Sequence, residues 1–214
     1  MPFNQSGELR YYQFSSFIPY SLIQGVFTRQ GGVSPEPWDS LNLGGTVGDK
    51  QARVQTNKRR LLQGVQRTPD SLFEVWQVHD ANVLKADAPA PSRERIPKAD
   101  AVITDNPRVT LLMRFADCVP IFIYDPDHNA IGMAHAGWKG TIKHIARKTV
   151  EYMERYYQSD PARLIAGIGP SIGPDHYEVG EDVISRVKNA FPECYHQLLV
   201  NQDGSQSLDL WEAN

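Results

Sequence analysis

"RFADCVPIFIYDPDHNAIGMAHAGWKG", residues 114–140, holds two apolar runs split by a Pro-Asp-His-Asn turn, with a cysteine and a histidine at their borders. VPIFIYD and AIGMAHA are too continuously apolar for half-exposed strands. With VTLLMRFADC (109–118) before them, they read as a block of buried strands. Gly137 then leads into WKGTIKHIARKTVEYMERYY (138–157), where Ile142, Ile145, Val150 and Met153 recur at roughly helical spacing and predict one long helix. ARLIAGIGPSIGP (162–174) predicts a strand running into a glycine-proline loop, and GEDVISRVKNAF (180–191) a second helix ended by Pro192. Strands thus alternate with helices in the second half, which places the chain in the α/β class.

Working back toward the N-terminus, LIQGVFT (22–28) reads as a short strand and RQGGVSPEPWDSLNLGG (29–45) as a long loop, a length that is often functional. DKQARVQTNKRRLLQG (49–64) predicts an amphipathic helix with Val54, Leu61 and Leu62 inward, Asp49 as its cap and Gly64 as its stop. The basic cluster NKRRLL within it reads as a solvated helix face. LFEVWQVH (72–79) is rich in strand formers, KADAPAPSRERIPK (85–98) reads as a surface loop, and ADAVIT (99–104) follows it.

The chain has 214 residues, 41% hydrophobic and 22% charged, which suits one globular domain over residues 1–214. No stretch has the unbroken apolar length of a bilayer span, and the first residues lack an export signal, so a cytoplasmic location and no membrane partner are expected. A formal net charge of -3 argues against nucleic acid as a partner. Two cysteines make no disulfide framework and leave both thiols available for chemistry or metal.

His79, Cys118 and His135 each close a strand-like run and open a turn. In α/β proteins the carboxyl ends of strands converge on ligand sites, so three such residues can meet despite their separation in sequence. Two imidazoles and a thiolate suit Zn²⁺ and leave a fourth tetrahedral position for water. Two other readings stay open on spacing alone. Cys118 and His135 are ordinary buried residues in one. In the other they form a thiolate–imidazolium pair oriented by Asp117, as in cysteine hydrolases. His128, His144 and His196 read as surface or loop residues, and Cys194 as a packing residue.

TRQGGVSPEPWDSLNLGG, QVHDANV, ADAVIT, ADCVPIFIYDP, AHAGWKGT and GPSIGPDHYEVG resemble, in this order, the signature blocks of the YfiH-like family, also called the laccase-domain or multicopper polyphenol oxidoreductase family. The resemblance runs from about residue 20 to the C-terminus. It implies an α/β sandwich of mixed sheets flanked by helices, related to cysteine-hydrolase-like toxin domains. It also implies zinc held by His79, Cys118 and His135. The implied activity is a purine nucleoside phosphorylase that also deaminates adenosine and cleaves methylthioadenosine, with purine nucleosides and phosphate as partners and a monomer or homodimer as the assembly. Arg29, Lys139 and Asp117 are then the expected catalytic groups, with Asp80 as a second candidate carboxylate. Arg29, Asn42 and Lys139 are the expected substrate contacts. A cysteine hydrolase or peptidoglycan-precursor editing enzyme built on Cys118 and His135 is the alternative. A copper polyphenol oxidase is a further one, although six histidines with no His-x-His pair are few for four coppers.

Three departures from the family pattern stand out. Lys139 replaces the arginine that commonly follows HAGW, which keeps the charge but loses the bidentate fork. Asp175 and His176 stand where relatives often carry a cysteine pair, so an extra ligand from that loop is left open. The sequence also ends at LDLWEAN, where relatives usually continue with a further helix and strand, so a C-terminal piece of the fold is expected to be missing.

Overall fold

A computed structural model describes residues 3–90, 96–202 and 204–214; residues 91–95, the middle of the expected 85–98 loop, lie outside the described residues. In chain order the chain forms β1 (Phe3–Ser6), β2 (Leu9–Tyr12), β3 (Val26–Phe27), α1 (Gln51–Gly64), β4 (Leu72–Glu74), β5 (Val83–Lys85), β6 (Ala101–Thr104), β7 (Thr110–Leu112), β8 (Val119–Asp125) and β9 (Ala130–Ala136). It continues with α2 (Trp138–Ile142), α3 (Ile145–Tyr157), β10 (Ile165–Ile168), α4 (Glu181–Ala190), α5 (Tyr195–Leu198), β11 (Leu199–Gln202) and β12 (Ser205–Leu208).

The central sheet has the order β10-β8-β9-β6-β5; β5 and β6 run parallel and the other neighbours antiparallel. Successive side chains of a strand point to opposite faces. Ala101, Ile103, Ile121, Ile123 and Ala134 therefore face one side, where they pack with Ile145 and Met153 of α3 and Ile184 and Val187 of α4. Val102 faces the other side with Phe73, Val75 and Leu111 from the β4–β7 region, and Phe122 joins Phe14 and Phe17 there. Every residue of β8 is buried, because layers cover both faces of the sheet. The fold is the expected α/β arrangement of mixed sheets and helices.

Gly132 sets the spacing of the helical layer. A Cβ there would stand 3.1 Å from Thr149 Cγ2 and 3.3 Å from Met153 Sδ, so the bare backbone lets α3 lie close on β9.

Four local expectations are corrected. The predicted helix over 138–157 is two helices, broken at His144, which adopts a left-handed conformation with φ 56°. The short α2 is tied to the 79–80 turn by the Lys143–Asp80 ion pair at 2.5 Å, whereas α3 follows the sheet. One straight rod cannot follow both directions. VTLLMRFADC does not join the central sheet: its ladder is limited to Thr110–Leu112, which pairs in parallel with β4 in a separate two-stranded sheet. Asp49 lies one residue before the helix cap, Lys50; its buried carboxylate accepts from Ser34 Oγ at 2.6 Å and Asn42 Nδ2 at 3.1 Å and ties the long loop to α1. The basic face of α1 is not wholly solvated either, since Lys58 keeps only 14% side-chain exposure and pairs with Glu74 at 2.7 Å.

Met153 fills the α3–β9 contact with no exposed surface. Met153→Ala is expected to lower stability by about 2–5 kcal/mol through lost burial and a residual cavity. A urea denaturation midpoint unchanged from the parent protein would contradict this packing.

Candidate metal centre

In the β8–β9 hairpin Val119 lies opposite Ala136 and Pro120 opposite His135. Cys118, immediately before β8, therefore lies beside His135, near the end of β9. The three candidates do not share strand carboxyl ends, because antiparallel pairing places the start of one strand next to the finish of its neighbour. His79 comes from elsewhere, on a bend after β4, and holds a left-handed conformation with φ 57°. The Cys118 Sγ and the two imidazole nitrogens all lie within 4.8 Å of one another, and the His79 and His135 rings meet edge to face with centroids 4.8 Å apart. A tetrahedral zinc would hold such atoms roughly 3–4 Å apart, so small side-chain rotations suffice to close the set on one ion.

Asp100, fully buried, builds this arrangement. Its carboxylate accepts from the backbone N–H of Val78 at 3.1 Å, His79 at 2.9 Å and Asp80 at 2.8 Å, and it meets His135 Nδ1 at 2.9 Å. Its carbonyl also accepts the His135 N–H at 2.7 Å. Burial pushes the Asp100 carboxyl upward, but the bonds from His135 and the two following backbone donors outweigh it and hold the group below the usual carboxylate range. An ionised carboxylate only accepts, so Nδ1 of His135 carries the proton and Nε2 offers its lone pair to an ion. His79 is held below the ordinary histidine range by burial and by the nearby His135, which keeps it in the neutral, ligating form.

Burial, with Asp117 and Asp100 nearby, pushes the Cys118 thiol up to about 11. Without a cation the sulfur stays protonated at neutral pH, and a divalent ion is the partner that reverses this. Space for such an ion is kept by Gly137: a Cβ there would fall 2.9 Å from Cys118 Sγ and 3.0 Å from His79 Cδ2.

The other expected residues lie around this centre in different states. Asp117 is exposed beside Cys118, with a left-handed φ of 78°. Asp80 is paired with Lys143. Lys139 is exposed, lies 5.5 Å from the Trp138 ring centroid, and its charge reaches His79. Arg29 is bound within its own loop, through its Nε to the Asp39 carbonyl and through Nη2 to the Asp39 carboxylate at 2.9 Å. Asn42 donates to Gly44 and Asp49 and accepts from the Gly44 N–H. Asp175 and His176 pair with each other at 2.9 Å on the surface; the metal-competent group found among the described residues comprises His79, Cys118 and His135.

An open cleft of about 1260 Å³ joins the three candidate ligands to Arg29 and Asn42 on the long loop. The sequence pattern did not single out Asp100, and it marked Gly137 only as the lead into a helix. The signal for Asp100 was an acid placed directly before AVIT, a strand that is buried throughout, since a carboxylate buried with it needs several donors.

With this geometry in hand, the family follows from comparison with known proteins. The family described as multi-copper polyphenol oxidoreductase laccase matches residues 23–214. The chain belongs to this laccase-domain family. Among its relatives, a protein of Bacteroides thetaiotaomicron named purine nucleoside phosphorylase is 37% identical over 209 residues, spanning 94% of this chain and 77% of the relative. The purine nucleoside phosphorylase YlmD of Bacillus subtilis is 38% identical over 201 residues, spanning 90% and 72%. The crystal structure of YlmD from Geobacillus stearothermophilus superposes with a TM-score of 0.87 at 31% identity, covering 99% of this chain and 80% of that one. The YfiH structure from Bacillus licheniformis gives 0.83 at 34% identity, covering 88% and 73%.

Asp100→Asn keeps the size of the side chain but removes its acceptor-only character, and zinc affinity is expected to fall roughly 10–100-fold. Chelator competition reads this directly, and an unchanged affinity would remove Asp100 from the centre. Thiol ligation requires the loss of one proton from Cys118. Zinc affinity should therefore rise by up to about tenfold per pH unit between about pH 7 and 9, with no such slope in Cys118→Ala.

Proposed function

We propose that the chain is a zinc-dependent purine nucleoside phosphorylase that also deaminates adenosine and cleaves methylthioadenosine phosphorolytically. The observation that carries this reading is the convergence of His79, Cys118 and His135, oriented by Asp100, on a cleft large enough for a nucleoside. The names of the relatives from Bacteroides thetaiotaomicron and Bacillus subtilis support the substrate class. Two nitrogens and a sulfur with an open fourth position suit zinc, which when bound supplies Lewis acidity and lowers the pKa of water.

The residues of the chain supply the rest. Asp117, exposed beside Cys118, takes the proton of the attacking water and returns it to the departing amine in deamination. In phosphorolysis a phosphate oxygen bonds to C1′ of the ribose as the glycosidic C–N bond breaks, and the departing base keeps the electron pair. Lys139 is the exposed cation whose charge reaches His79, and it stabilises the negative charge that develops on the departing base. The ion pair of Arg29 with Asp39, and the Asn42 bonds to Gly44 and Asp49, shape the loop that walls the cleft and position it for substrate.

A cysteine hydrolase finds less support, because a thiol pushed up to about 11 beside carboxylates is the opposite of an activated nucleophile. A four-copper oxidase needs several more ligands than the three gathered here.

Metal-loaded protein given inosine is expected to release hypoxanthine only when phosphate is present. Adenosine should yield inosine without phosphate, and Cys118→Ala should lose both reactions. Chromatography of the products checks this, and no turnover of either nucleoside by metal-loaded protein would overturn the assignment.

A further inference from the structure

A second polar centre, made of residues other than the three candidate ligands, lies on the cleft wall. Lys58 from α1, Glu74 from β4 and Arg114 after β7 meet there. Lys58 Nζ donates to Glu74 Oε2 at 2.7 Å, and Arg114 Nη1 reaches Glu74 Oε1 at 3.4 Å. The side chains keep 14%, 13% and 30% exposure respectively, so two cations face one carboxylate on partly desolvated ground and leave a net positive charge. The other side-chain contact of Arg114, Nη2 to the Val75 carbonyl, is also 3.4 Å, the outer limit of hydrogen bonding. An ammonium has three donors and a guanidinium five, so most of this donor capacity finds no acceptor among the described residues.

The position of Arg114 is fixed. Gln77 accepts the Arg114 N–H at 3.0 Å and donates to its carbonyl at 2.7 Å. Gln77 lies two residues before His79, and Arg114 four before Cys118, so the two segments that lead to the metal centre are locked together at this cation. Of the two cations expected from sequence, Arg29 is exposed and tied to Asp39, and Lys139 is exposed beside the Trp138 ring.

We propose that Lys58 and Arg114 form the seat of a phosphate group, with Glu74 holding the two cations in place until the anion arrives. A planar guanidinium fork beside a compact ammonium suits a doubly charged phosphate, and partial burial strengthens both contacts. The proposal rests on the nucleoside reading above. The phosphate is either the inorganic co-substrate or the 5′-phosphate of a nucleotide.

The test uses the metal-loaded full chain with Arg114→Gln and, in case that variant folds poorly, Lys58→Gln. If the seat takes inorganic phosphate, KM for phosphate with inosine rises roughly tenfold or more, the scale of one lost charge-assisted bond, while KM for inosine stays within about twofold. If it takes a nucleotide, inhibition of inosine phosphorolysis by inosine 5′-monophosphate weakens by a similar factor while KM for phosphate holds. Parent protein that phosphorolyses inosine, with both constants unmoved in both variants, overturns the seat. If the parent protein performs no phosphorolysis, the functional reading fails and thermal unfolding decides the seat. Inorganic phosphate or inosine 5′-monophosphate should then raise the parent melting temperature but not that of the variants, and no rise in the parent overturns the proposal.

Discussion

The buried Asp100 carboxylate is the constraint on which the candidate metal centre depends. An ionised carboxylate with no exposed surface is costly unless donors surround it, and here three successive backbone N–H groups and one imidazole do so. The same four bonds that make its burial tolerable give the site its shape. They wrap the 78–80 turn around the carboxylate, hold His79 in a left-handed conformation, and fix the His135 tautomer that leaves Nε2 free. Removing the charge would loosen both imidazoles together.

The sheet provides the rigidity behind this. His135 sits within a fully paired strand whose layer is closed on one side by α3, brought near by Gly132, and on the other by the smaller sheets. Cys118 is set by the same hairpin register. The third element, the turn with His79, is held by Asp100 and by the Lys143–Asp80 pair from the end of α2. Gly137 gives up a side chain so that sulfur and imidazole can face a common point. Packing and polar satisfaction therefore meet at one end of the β8–β9 hairpin.

Much of this was legible in the sequence. The apolar runs of 119–125 and 130–136 marked the central strands, since the first is buried on both faces throughout and the second is nowhere exposed. The three candidate ligands stood out as reactive residues at the borders of such runs. Their meeting at the start of β8 and the end of β9 was not legible, because a run of apolar residues does not state the direction of its neighbour. The helix break at His144 was hidden by a continuous period of apolar residues across it. Asp100 was hidden because a lone aspartate before a strand looks like any turn residue until its donors, some 20 residues upstream and 35 downstream, are brought to it. The meeting of Lys58 and Arg114 at Glu74 was hidden for the same reason, since the three lie far apart in sequence.

The meeting of His79, Cys118 and His135 in one metal centre would carry a spectroscopic signature. X-ray absorption spectroscopy on the zinc-loaded protein, with the metal content measured in parallel, tests it most directly. One zinc per chain is expected, bound by two imidazole nitrogens, one sulfur and a light oxygen ligand. A protein that takes up no stoichiometric zinc, or a zinc shell without sulfur, would contradict it.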